Sequence, residues 1–178
     1  MSSTLHLIGG TSHTGKTARA TELSRTLGIP FLSTDYLAKH PGRPWRNPPE
    51  EVPPNVAEHY RTLAPGKLLA NMLDHYRLTV WPLVLQVLAD YQKKDRAVIV
   101  EGSAVLPGLV AALELPNAEA HWLTASEGTL QRRIYAAANY PTRTPPQCYL
   151  VDKFLTRTLR FNTYLREQTA HYGYELET

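Results

Sequence analysis

The stretch GTSHTGKT, Gly10 to Thr17, brings together flexible glycines, one cation and one hydroxyl within eight residues. It fits the spacing G-x-x-x-x-G-K-[ST], and each residue type answers a need of polyphosphate binding. Several backbone N–H groups must point inward at the oxygens, and glycine lets the chain curl closely enough to present them. The cradle would run through Gly10, Thr11, Ser12, His13, Thr14, Gly15, Lys16, Thr17 and Ala18. A helix starting near Gly15 adds the positive end of its dipole. Lys16 would reach the β- and γ-phosphates, and the Thr17 hydroxyl would hold Mg²⁺. The inner side chains, His13 among them, are expected to matter less than the backbone.

Such a loop works only between a strand and a helix, and the flanking sequence supplies both. TLHLIG (4–9) reads as a short strand. KTARATELSRTLG (16–28) reads as a helix stopped by Gly28 and Pro30. PFLST (30–34) is a second strand. Residues 40–54 hold six prolines and exclude regular structure. Helices are expected at 55–63, 66–78 and 81–94. RAVIVEG (96–102) is the clearest buried strand, and AHWLT (120–124) is another. A helix over 126–140 takes Ser126 as its N-cap, TRTPPQ breaks it, helix resumes over 149–171, and YGYELE ends as a strand. Strands alternating with helices predict a parallel sheet covered on both faces, with the ligand beyond the strands' carboxyl ends. Gly10–Thr17, Ser33-Thr34-Asp35, Glu101-Gly102 and Thr124 should therefore meet at one rim.

The 178 residues fit a single domain, 43% hydrophobic and 20% charged. No apolar run reaches the roughly 18 residues of a membrane helix. The N-terminus lacks a basic head before a long apolar stretch, so no secretory signal is expected and the cytoplasm is the default location. One cysteine and scattered histidines give no zinc pattern. Thirteen of the nineteen basic residues are arginine, and the segment from Glu127 to Arg166 carries a net +5. That suits an anionic ligand. No RNA- or DNA-binding motif accompanies it, so a nucleic-acid partner is not expected. A base-reading Asn-Lys-x-Asp, an Asp-x-x-Gly switch and a Leu-Ser-Gly-Gly signature are all absent. A GTPase and a transporter ATPase are thereby disfavoured.

The order IGGTSHTGKT, LSTDYL, VIVEGSAVLP, LTASEGTLQRRI resembles the P-loop small-molecule kinases. These include nucleoside monophosphate, shikimate and gluconate kinases, chloramphenicol phosphotransferase and zeta-toxin-like kinases, the nearest being the 2-phosphoglycerate-kinase-like group. The resemblance implies a three-layer α/β P-loop NTPase fold whose five-stranded parallel sheet has the order 2-3-1-4-5. It also implies a helical acceptor-binding insert at about 40–80 and a basic lid at about 126–160 that closes over ATP. The cofactors implied are ATP and Mg²⁺, and the partner is a small hydroxylated or phosphorylated acceptor. Nucleoside or nucleotide phosphorylation is the rival reading. A non-kinase NTPase, or a nucleotide-binding protein associated with nucleic acid, is a third.

Individual residues then take expected roles. Asp35 would orient the acceptor hydroxyl and take its proton, or help hold Mg²⁺; the plainer alternative is a helix cap. Glu101 ends an apolar strand, where a carboxylate is costly without a partner. The resemblance puts it near Mg²⁺ or the acceptor, although a typical strand of this kind ends in aspartate. Arg133, in Leu-x-x-Arg-Ile, resembles an arginine that contacts the nucleotide. Arg157 and Arg160 lie three apart on a helix and could clamp phosphates, with Arg143 at the lid tip. Arg43, Trp45 and Arg46 in the proline-rich insert could grip an anionic or planar acceptor.

Overall fold

A computed structural model describes residues 4–38, 42–47, 50–113 and 117–178. The central strand β1 (Leu5–Gly10) is buried along its whole length. It pairs in parallel with β3 (Val98–Glu101) on one side and β4 (Ala118–Leu123) on the other. β2 (Phe31–Ser33) adds to β3, and the short β5 (Leu176–Glu177) adds to β4. The order is β2-β3-β1-β4-β5, as the resemblance implied. Ile8 stands level with Glu101 and Gly10 with Leu123. The glycine loop and the end of β3 therefore emerge at the same edge.

Helices cover both faces. α1 (Lys16–Leu27) packs Ala20 against Ile8 and Ile99 on one side. On the other, Leu7, Val100 and Trp122 meet Val84 and Leu88 of α4 (Trp81–Lys93) and Phe161 and Leu165 of α7 (Pro145–Tyr172). Each large side chain buried in this way contributes about 1.5–3 kcal/mol. A second cluster stands off the sheet. It joins Trp45 of the proline-rich insert, Val56 and Tyr60 of α2 (Pro54–Thr62), and Leu68 of α3 (Pro65–His75), to Ile134 of α6 (Glu127–Ala137) and to Val151, Phe154 and Leu155 of α7. The proline-rich insert and the expected lid thus share one hydrophobic cluster. The short α5 (Pro107–Ala111) follows β3 and has no counterpart in the sequence reading.

Two further elements differ from expectation. TRTPPQ does lie between two helices, but its prolines already belong to the second and start it. Thr144 and Gln147 form a reciprocal capping box, with Gln147 Oε1 accepting from the Thr144 N–H at 3.0 Å. Pro145 and Pro146 occupy first-turn positions whose N–H groups need no partner. α7 accordingly runs 28 residues, and its stretch from Val151 onward belongs to the core. The second difference lies between α3 and α4. The chain does not leave the helix after His75 but passes through a five-residue π turn, Tyr76–Val80. Pro82, which has no N–H to donate to Leu78, sits just beyond it. Among the described residues, no helix is long and apolar enough to cross a membrane.

Candidate active site

The glycine loop leaves β1 with three residues at positive φ: Gly10 at 141°, His13 at 67° and Gly15 at 99°. This alternation turns successive N–H groups toward one concavity. At Gly10 a Cβ would press to 2.6 Å from the Leu123 carbonyl oxygen, so the loop's first residue is fixed by space as well as by conformation. The loop is braced from within: the Thr14 hydroxyl donates to the Thr11 carbonyl at 2.8 Å, and the Ser103 hydroxyl to the Gly10 carbonyl at 3.0 Å. The Lys16 ammonium donates to the Thr11 carbonyl at 2.8 Å. Burial pushes its pKa down, while the Glu101 and Asp35 carboxylates pull it up. Lys16 thus lies in the loop, where both candidate acids act on its charge.

Glu101 is 2% exposed and accepts a hydrogen bond from the Thr17 hydroxyl at 3.1 Å. Two hard oxygens side by side at the loop suit Mg²⁺, which keeps most of its waters and needs one or two protein oxygens. The turn after Glu101 has no room for a side chain. Gly102 lies at φ 151°, and a Cβ there would overlap the Thr34 hydroxyl oxygen. Gly102→Ala should therefore cost at least about 2 kcal/mol, read as a lowered urea midpoint. An unchanged midpoint would show that the turn carrying Thr34 yields without loss.

Asp35 lies in a 3-10 turn, Thr34–Tyr36, directly after β2. The cap of that turn is Ser33, whose hydroxyl accepts from the Asp35 N–H at 3.4 Å. Asp35 does not cap the turn, and its exposed side chain faces a cavity of about 640 Å³. Thr11 and Ser12 of the loop, Arg43, Tyr76 and Val80 of the π turn, and Arg157 share that wall.

The other arginines go to different places. Arg133 reaches across from α6 to donate to the His13 carbonyl at 2.8 Å, so it rests on the loop. Arg143 donates to the Ala138 and Arg46 carbonyls, each at 2.7 Å, and ties the α6–α7 connection to the insert. Arg46 spends its own guanidinium on the Arg43 and Trp45 carbonyls, both at 2.7 Å. It braces the insert and does not line the cavity. Arg157 and Arg160 do not act as one clamp. Arg157 is buried in the cavity wall, whereas Arg160 is exposed beside Gly66 at the start of α3.

Sequence reasoning missed the aromatic setting of His13. The imidazole lies 6.2 Å from the Trp45 ring and 6.3 Å from Phe154, and neither ring nitrogen has a hydrogen-bond partner. Burial, then the charges of Arg43, Lys16 and Arg133, pushes its pKa down to about 4. His13 is therefore neutral at pH 7. An unfolded histidine takes a proton near pH 6.5, well above the folded value, so stability is full above about 6.5 and falls as pH drops toward about 4. His13→Asn removes this titration and suits the positive φ. Its Tm should fall less than wild type between pH 6.5 and 4; parallel curves would contradict the burial effect.

No protein-family model matches the chain. The sequence is 31% identical over 136 residues, 72% of its length, to an adenylate dimethylallyltransferase of Ralstonia nicotianae. It spans about half the length of that curated relative, 51%. Among solved structures, a candidate kinase from Chloroflexus aurantiacus aligns with TM-score 0.51 at 18% identity, over 89% of this chain and 80% of the other. Shikimate kinase from Aquifex aeolicus aligns with TM-score 0.50 at 15% identity, over 98% of this chain and 85% of the other. The chain has the P-loop kinase fold. Its strand order is β2-β3-β1-β4-β5, and the π turn and α7 line the cavity beside the glycine loop.

Proposed function

We propose that this protein is an ATP- and Mg²⁺-dependent phosphotransferase acting on a small hydroxylated or phosphorylated metabolite. One observation carries the reading: the glycine loop opens directly onto a cavity with a carboxylate, Asp35, on its wall. A protein that only held a nucleotide would need no such chamber. The cradle and Lys16 would hold the triphosphate, and Thr17 and Glu101 would hold Mg²⁺. Bound Mg²⁺ supplies charge neutralisation on the β- and γ-phosphates. Asp35 takes the proton of the acceptor hydroxyl as its oxygen bonds to the γ-phosphorus and the bond to ADP breaks. Arg133 holds the loop, and Phe154, Arg157 and Phe161 of α7 form part of the chamber wall.

The test is an ADP-release screen with ATP and Mg²⁺ against sugars, nucleosides, phosphorylated acids and hydroxy acids. An acceptor that raises ADP release well above the acceptor-free rate supports the reading. Failure of every class, together with no binding of a non-hydrolysable ATP analogue, would overturn it.

The curated relative favours a second reading, in which the cradle holds a phosphorylated dimethylallyl donor and the acceptor is adenylate. The apolar part of the cavity wall, with Leu37, Met72, Val80, Phe154 and Phe161, is compatible with such a group. Incubation with AMP and dimethylallyl diphosphate, followed by mass spectrometry, separates the two: an alkylated nucleotide without ADP release would favour this second reading.

A further inference from the structure

Arg157 is 6% exposed, yet it lines the cavity. Its Nη1 donates to the Tyr60 hydroxyl at 2.9 Å. Its guanidinium carbon lies 4.4 Å from the centre of the Phe154 ring and 5.8 Å from that of Tyr60. Its Nε has no hydrogen-bond partner. None of the ion pairs among the described residues includes it. Arginine cannot escape this setting by losing its proton. A buried cation with an unspent donor and no counter-charge is destabilising, and aromatic faces offset only part of that.

The surroundings do not supply the missing charge. Burial raises the pKa of Tyr60 and pushes that of Tyr76 up to about 12, so both phenols are neutral at pH 7. Among the described residues, Asp35 is the single acid on the cavity wall, set against Arg157 and Arg43, and it is exposed. Of the other cations of the site, Lys16 is placed on the Thr11 carbonyl, Arg133 on the His13 carbonyl, and Arg43 stands 5.9 Å from the centre of the Trp45 ring. Arg157 instead belongs to the cluster of Tyr60 and Phe154, on the side of the cavity formed by the insert and α7.

Resting on the phosphotransferase reading, we infer that Arg157 is the receptor for an anionic group on the acceptor. The acceptor is thus a hydroxylated compound carrying a carboxylate or a phosphate, which seats against the Arg157 guanidinium where it lines the cavity, while its hydroxyl faces Asp35. Neutral sugars and unphosphorylated nucleosides lack the group that Arg157 requires.

Acetate and inorganic phosphate serve as probes, titrated by ¹H and ³¹P line broadening into protein saturated with Mg²⁺ and a non-hydrolysable ATP analogue. The analogue occupies the cradle, so any second anion site lies elsewhere. The expected result is saturable binding of at least one probe, weakened about 10–100-fold in Arg157→Gln, the range for losing a charged hydrogen bond. Arg157→Lys, which keeps the charge but not the fork, should lose less. Phosphate binding without acetate binding would indicate phosphorylated acceptors, and the reverse would indicate carboxylates. Absence of saturable binding for both probes, or equal binding in Arg157→Gln, would overturn the inference. The same titrations on nucleotide-free Lys16→Ala protein keep the two readings apart. If the analogue fails to bind, the phosphotransferase reading falls, while this arm still reports whether the cavity takes an anion through Arg157.

Discussion

Lys16→Ala should reduce phosphoryl transfer by at least about 10³-fold while leaving the folded protein intact. The ammonium lies within the loop, 2.8 Å from the Thr11 carbonyl, and interacts with Glu101 and Asp35. No other lysine lies in the loop. A fixed donor aimed at charge that develops in the transition state is worth about 10²–10³-fold when it is neutral, and a cation facing a transferring phosphoryl group is worth more. The fold has little stake in this side chain. Lys16 is the first residue of α1, where a cation opposes the helix dipole and alanine is the better helix former. Circular dichroism and Tm should therefore match wild type within a few degrees. Near-normal turnover in the folded variant would remove the loop from the mechanism.

Asp35→Asn should lower the rate by about 10²–10⁴-fold while nucleotide affinity changes by less than about tenfold. General-base assistance accounts for that factor, roughly 3–5 kcal/mol of barrier. The substitution keeps the size of the side chain and removes its charge. The local fold separates the possible roles cleanly. Were Asp35 a cap, asparagine would serve as well, but the cap is Ser33 and Asp35 lies within the turn it caps. The side chain is exposed on the cavity wall and no ion pair among the described residues uses it. Turnover and nucleotide binding measured on one preparation decide the matter. Equal rates for the wild type and the Asp35→Asn variant would leave the acceptor hydroxyl without its base, and the phosphotransferase reading would need another.

The parts legible in the sequence were those where local chemistry and tertiary role coincide. β1, the glycine loop and α1 are one continuous signal, because an apolar strand, a curled turn and a helix start must follow in that order for the loop to bind anything. β3 was equally plain, since a strand buried on both faces is apolar throughout until its polar end. The start of α7 was misread because proline carries two messages. It ends a helix when it falls inside one and begins a helix when it falls in the first turn, and only the Thr144–Gln147 cap distinguishes them. Arginine directions were not legible either. Arg157 and Arg160 differ by three positions, yet one faces the cavity and the other solvent, because Tyr60 and Phe154 close around the first. Arg46 looked like a ligand residue and is a brace, since the neighbouring backbone offers it carbonyls. The pairing of His13 with Trp45 and Phe154 joins three distant segments and left no trace in any one of them.

The π turn between α3 and α4 makes the core depend on counting as well as on residue type. Met72, Tyr76, Val80, Val84 and Leu88 recur every four residues and pack in one core. In an unbroken α-helix such a row slips about 40° at each step and would wind about 160° around the axis by its last member. The one surplus residue of the π turn takes up about 100° of that slip and keeps Val84 and Leu88 on the inner side. Loss of one residue from 76–80 would close the π turn into ordinary α-helix and leave Val84 and Leu88 facing the core. Gain of a residue, or loss of two, would rotate the following three and a half turns by about 100°, carrying Val84 and Leu88 toward water. One deletion can be absorbed here, but other changes in length cannot. Within this stretch the frame itself, more than any one side chain, is what the core constrains.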